Sequence, residues 1–159
     1  PDVIERLAVI LGEAGLPAGT IGAEITESAL MEQSDASVAV LQRLKDLGMT
    51  LLLDDFGTGY SSLAYASRFP IDTLKIDRSF INDLGTPDAS TIVGAIINMA
   101  SGLGVGVIAE GIETEDQARQ LRNLGCVRGQ GFLYARPVPA EQIDELLGSP
   151  SQCVTLLAR

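Results

Sequence analysis

Apolar runs and helical segments alternate five times along this chain, and each run closes on a polar group. Strand-like stretches are expected at Thr20–Thr26, Met49–Asp54, Thr73–Ile76, Val105–Ala109 and Cys126–Gln130. Helical spacing fills the intervals. It covers Ile4–Leu11 with Gly15 as its stop, and Ala36–Leu47 behind a Ser34–Asp35 cap. A short helix behind Ser61–Ser62 ends at Phe69 before Pro70. A long helix capped by Asp88 runs from Ala89 to about Leu103, and Thr114 caps Glu115–Leu124. Ala140–Leu147 is a last helix, and 148–159 reads as a tail beyond a single domain at 1–147. This rhythm predicts a parallel sheet with helical crossovers, either an open doubly wound sheet or a (β/α) barrel. Five units fit the open sheet, since a full eight-unit barrel needs about 250 residues and this chain has 159.

The polar strand ends concentrate the chemistry. The first run ends at Glu24-Ile-Thr-Glu27, the second at Asp54-Asp55, the fourth at Glu110 with Glu113 behind it, and the fifth at Gln130. The third holds Lys75 and Asp77 at positions that share a face. Leu51–Leu53 reads as a strand buried on both faces, with Asp54 on the side of Leu52 and Asp55 opening the Gly-rich turn Phe56–Gly59. Taken alone, the acid pair fits an Asp-rich turn with a helix cap equally well. Five polar ends in register favour a clustered site, because functional groups gather at the carboxyl ends of parallel strands in both folds.

Glu24, Asp54, Asp55 and Glu110 are hard oxygen donors suited to Mg²⁺ or Mn²⁺. An Asp pair can bridge two ions, the arrangement that activates water and stabilises a leaving oxygen in phosphoester cleavage. Lys75 amid these acids could orient or deprotonate water, neutralise a phosphate, or form a structural ion pair. Gln130 could hold a water or a phosphate oxygen, or be a loop amide.

Composition narrows the partners. A net charge of −10 argues against an electrostatic grip on polymeric nucleic acid or a lipid surface. It does not argue against a phosphate substrate, since bound divalent ions invert the local sign. The chain has no His, which removes His-based triads, His-ligated zinc and His general bases. Cys126 and Cys153 stand in no metal-type spacing, so a reducing, cytoplasmic compartment is expected. No apolar run approaches a membrane span, and the opening lacks the pattern of a signal peptide.

Five co-linear motifs resemble the EAL domain family. They are Glu24-Ile-Thr-Glu27-Ser, Asp54-Asp-Phe-Gly-Thr-Gly-Tyr-Ser-Ser-Leu63, Leu74-Lys-Ile-Asp-Arg-Ser-Phe80, Ala109-Glu-Gly-Ile-Glu113-Thr and Gly129-Gln-Gly-Phe…Ala135-Arg-Pro137. The resemblance implies a TIM-like (β/α) barrel of EAL type, incomplete here, from bacterial second-messenger signalling. It implies a phosphodiesterase that opens cyclic di-GMP to pGpG with two divalent ions. By position, Glu24 resembles a first-metal ligand, Asp54 the carboxylate shared by both metals, and Asp55 and Glu110 second-metal ligands. Lys75 is similar to the lysine beside the attacking water and Gln130 to a water-holding amide. Glu27 resembles the anchor of the Asp55-Phe56-Gly57 loop, Glu113 another supporting acid, and Arg136 and Pro137 a border of the guanine pocket.

The Glu-Ala-Leu signature and the Asn-x-Ser segment that follows it are absent. Both belong to the family's first strands, so the chain resembles the last two thirds of such a domain, and weak hydrolysis by this piece alone is expected. An open barrel edge leads to an expectation of self-association. Two other readings fit these residues less well. A degenerate module that binds cyclic di-GMP without chemistry would be expected to lose acids that here survive. A phospho-acceptor receiver places its acid pair and Lys on other strands. Gly22-Ala23 is a local oddity, where the family has bulkier or acidic residues.

Overall fold

The structure, a computed structural model, describes residues 2–31, 35–57 and 69–147. Strands β1 (Gly22–Thr26), β2 (Thr50–Phe56), β3 (Thr73–Ile76) and β4 (Gly106–Ala109) form one parallel sheet in the order β1-β2-β3-β4. The helices are α1 (Val3–Ala14), α2 (Glu27–Met31), α3 (Asp35–Asp46), α4 (Arg78–Asn82), α5 (Pro87–Leu103), α6 (Glu115–Asn123) and α7 (Ala140–Leu147). Strand order follows chain order without reversal. A doubly wound sheet reverses at a switch point, whereas a barrel wall does not. The choice left open by the alternation therefore falls to an arc of barrel.

The two faces of the sheet divide the labour. Leu51, Leu53, Leu74 and Ile76 are buried in one core with Leu41 of α3 and Val93, Ile96, Ile97 and Ala100 of α5. Each such side chain contributes about 1.5–3 kcal/mol through burial. Leu52, Asp54, Thr73 and Lys75 alternate to the opposite face, the inner wall of the arc, where Leu52 pairs with Thr73. The Leu run is thus buried on one face and only half-buried at Leu52 on the other. Gly22 also has a packing reason, since a Cβ there would lie 2.6 Å from Leu52 Cδ1.

Several local expectations are corrected. β2 does not stop at Asp54. It continues to Phe56, and Asp55 lies within it at φ +55°. Leu53 pairs with Leu74 and Phe56 with Ile76, so β2 carries one residue more than β3 over this stretch. That is a bulge, and it shifts the alternation by one residue so that Phe56 turns into the core with Leu51 and Leu53. The fifth strand reduces to a single parallel bridge, Ala109 to Gly129. The 126–130 segment still hydrogen-bonds one side of β4, through Ala109 N to Arg128 O and Gln130 N to Ala109 O. α5 is capped by Thr86 rather than Asp88, with Pro87 at its first position. α2 and α4 were not expected. Asp77, placed at the end of a strand by its sequence, instead caps α4 and accepts from Ser79 N. The helix expected behind Ser61–Ser62 and the tail at 148–159 lie outside the described residues. Among the described residues no helix is long and apolar enough to cross a membrane.

Candidate active site

The carboxyl ends of β1, β2, β3 and β4 deliver one functional side chain or more each. Parallel register sets Glu24 beside Leu52 and Thr26 beside Asp54, and aligns Lys75 with Ile108, two residues before Glu110. Glu24, Asp54 and Glu110 consequently converge on Lys75. Its ammonium lies 2.8 Å from Glu24 Oε2, 3.1 Å from Asp54 Oδ1 and 2.6 Å from Glu110 Oε1. The lysine side chain is only 4% exposed, while Glu24 remains 52% exposed at the edge of the arc. Gln130 Nε2 donates to Glu110 Oε1 at 2.7 Å, which brings the fifth polar end into the cluster.

Electrostatics follow from this geometry. Burial works against the Lys75 ammonium, but hydrogen bonds to Glu110, Glu24 and Asp54 outweigh it and hold its pKa above the usual lysine range. Burial pushes the Glu110 carboxyl up, Lys75 opposes that rise, and the charges of Asp54 and Glu24 add to it. As arranged here, Lys75 is a charged donor and not a base.

Asp55, at the bulge, lines an adjoining cavity of about 650 Å³, within the range of small-molecule sites. Glu110, Glu113 and Gln130 line the same cavity, as do Arg136 and Pro137. Glu27, at the start of α2 and 7% exposed, accepts from Gly57 N at 3.2 Å and so ties the end of β2 to β1. The site residues expected from sequence thus fall into three sets. Glu24, Asp54, Glu110 and Gln130 gather on Lys75. Asp55, Glu113, Arg136 and Pro137 reach the shared cavity. Glu27 stands behind the loop.

Asp77, noted above beside Lys75, also lines the cavity, as do Arg78, Asn82 and Phe132, to which sequence reasoning gave no role. Arg78 lies inside the Leu74–Phe80 motif and Asn82 two residues beyond it, but the fold of α4 was needed to aim them. Phe132 packs under the Arg136 guanidinium, 4.4 Å from its ring centre.

The donor chemistry fits a hard divalent cation, because three carboxylates already surround one positive charge. The spacing here is set by the ammonium. Among the described residues no three Asp, Glu or Cys side chains form a group that could hold a metal by themselves.

The family model of the EAL domain matches residues 1–137. The chain belongs to the EAL domain family. It is similar to the cyclic di-GMP phosphodiesterase NbdA of Pseudomonas aeruginosa, 45% identical over 147 residues that cover 92% of this chain and 19% of NbdA. The crystal structure of the EAL domain of Mycobacterium smegmatis DcpA superposes with a TM-score of 0.85 at 42% identity, covering 91% of this chain and 66% of that one. The manganese and cyclic di-GMP complex of Klebsiella pneumoniae BlrP1 gives a TM-score of 0.80 at 36% identity, over 86% of this chain and 35% of that one. The chain spans about a fifth of NbdA's length. The arc of four strands is therefore part of the TIM-like barrel of EAL domains.

Proposed function

We propose that this EAL chain supplies the acidic wall of a divalent-metal phosphodiesterase site that opens cyclic di-GMP to pGpG. The observation that carries the reading is the convergence of Glu24, Asp54 and Glu110 on Lys75 beside a cavity of nucleotide-accepting size. The similarity to NbdA and to the BlrP1 complex supports it.

In this reading Glu24 and Asp54 would hold one ion, and Asp54, Asp55 and Glu110 a second, with Mg²⁺ or Mn²⁺ as the metal. When bound, the ions supply Lewis-acid stabilisation and lower the pKa of water. The chain's own groups do the positioning. The Lys75 ammonium and the Gln130 amide hold the attacking water against the phosphorus, since both already point at the Glu110 oxygen. Water adds to phosphorus, the P–O3′ bond breaks, and the proton that the water loses ends on the departing 3′ oxygen. Lys75 also offsets the negative charge that builds on the phosphoryl oxygens. Glu27 keeps the Asp55 end of β2 in place through Gly57, and Glu113 supports the cavity wall. Arg136 and Pro137 border the nucleobase.

One observation favours a second reading, a module that binds the nucleotide without opening it: Lys75 fills the centre of the acids, which form no metal group of their own. The two readings separate in one assay. The chain in its full-length context is incubated with cyclic di-GMP and Mn²⁺, and the nucleotides are resolved by chromatography. The phosphodiesterase reading expects pGpG, at least about 10²-fold less with Asp54→Asn. Retention of unopened cyclic di-GMP favours the binding module, and neither binding nor turnover overturns both.

A further inference from the structure

Gln117 lies in the first turn of α6, outside the cavity, yet its amide joins two of the cavity's walls. Its Oε1 accepts from Glu113 N at 2.9 Å and from Thr114 N at 3.0 Å, while its Nε2 donates to Ile81 O at 3.0 Å. Glu113 lines the cavity after β4, and Ile81 belongs to α4, whose Arg78 and Asn82 line the same cavity. The two segments are 36 residues apart at the Gln117–Ile81 bond. That bond is partly buried.

Gln117 is also the third residue of a capping box. Thr114 Oγ1 accepts from Gln117 N, and the Gln117 side chain returns to the Thr114 backbone. A capping box needs only an acceptor at this position, and Glu serves as well as Gln. The acceptor half of the amide therefore accounts for helix capping. The donor half does not, and it is the half that reaches α4.

We infer that Gln117 is a positioning residue for substrate, whose amide donor sets the spacing between the α4 wall, carrying Arg78 and Asn82, and the Glu113 wall of the nucleotide cavity. Gln117 does not line the cavity, and its side chain bonds Glu113 N, Thr114 N and Ile81 O rather than the acids around Lys75, so its effect falls on binding and leaves the phosphoryl chemistry in place. The inference rests on the cavity holding cyclic di-GMP, as proposed above.

Gln117→Glu separates the two halves. It keeps both acceptor contacts and adds a negative charge at a helix N-terminus, where charge of that sign is favourable. It removes the donor to Ile81 O and sets a carboxylate oxygen against that carbonyl. Gln117→Ala removes both halves. Cyclic di-GMP binding is measured by calorimetry and turnover by steady-state kinetics, with thermal melting alongside. The inference expects Gln117→Glu to melt within a few degrees of the parent, to raise Kd and KM about five- to tenfold, and to leave kcat within about twofold. Gln117→Ala should show the same binding loss with a lower melting temperature. Unchanged Kd and KM in Gln117→Glu, with the parent binding normally, would overturn the inference, as would a fall in kcat alone. Failure of the parent itself to bind cyclic di-GMP would instead overturn the reading on which the inference rests.

Discussion

Glu110 Oε1 lies 2.6 Å from the ammonium of Lys75, and the same oxygen accepts from Gln130 at 2.7 Å. One carboxylate oxygen thus gathers the polar ends of three successive segments of the arc. Lys75 is the counter-charge that allows three acids to share that space, because like charges so close would otherwise repel.

Replacing that counter-charge should be costly in two ways. Lys75→Met is expected to lower pGpG formation by about 10²- to 10³-fold. It should also destabilise the fold by about 2–3 kcal/mol, toward the low end for a broken buried ion pair because Glu24 is half exposed. Steady-state assay and urea titration measure the two effects. Parent-like turnover would remove Lys75 from the chemistry.

Glu27 acts on the Asp55 loop through the amide of Gly57. Glu27→Ala leaves that amide without this acceptor and should cost about 1–3 kcal/mol, with turnover reduced at least tenfold. Glu27→Gln retains an oxygen acceptor and should recover much of both. Equal behaviour of the two variants would show that the hydrogen bond is not what matters.

Gln130 depends on its small neighbours. A Cβ at Gly131 would lie 2.1 Å from Ile112 O and 2.3 Å from Ile112 N, contacts that require the backbone to move. The same Ile112 N donates to Gln130 O. Gly131→Ala should therefore destabilise by at least about 1–3 kcal/mol and weaken turnover by displacing the Gln130 amide. Melting and kinetic assays read both, and a silent substitution would contradict this packing.

At the opposite end of the sheet Asp72 accepts from Lys45 Nζ at 2.7 Å through both oxygens and from Leu51 N at 2.7 Å. Burial raises its pKa, but the Lys45 and Leu51 hydrogen bonds outweigh it and the net shift is downward. A carboxylate with a folded pKa below its unfolded value stabilises the fold above the unfolded pKa, near 3.9. That contribution is lost as pH falls through the folded value. The stability gap between the parent and Asp72→Asn should be constant from pH 5 to 7 and shrink below about pH 4. Denaturant titration across that range measures it, and a gap that widens on acidification would reverse the sign.

Much of this site was legible in the sequence because parallel strands present their ends at one level. Asp54 and Glu110 each follow an apolar run, and alternation within β2 and β3, with Leu52 paired to Thr73, puts Asp54 and Lys75 on the same face. Asp55 was harder. Its left-handed backbone arises from the register with β3, which no local pattern encodes. α2 and α4 are five residues each, too short for helical periodicity to show. The 126–130 segment is apolar enough to read as a strand, but Gly129 and Gly131 shape it around Ile112 and its bonds to β4 form only one bridge. The double role of Gln117 was invisible because one of its partners lies 36 residues away.

The acids gathered on Lys75 are proposed to form a divalent-cation centre. Mn²⁺ titration followed by electron paramagnetic resonance tests it without relying on turnover. The parent protein should bind Mn²⁺ saturably, and Asp54→Asn and Glu110→Gln should each weaken that binding by at least about tenfold. Mn²⁺ binding that is absent in the parent, or equal in all three proteins, would contradict the account.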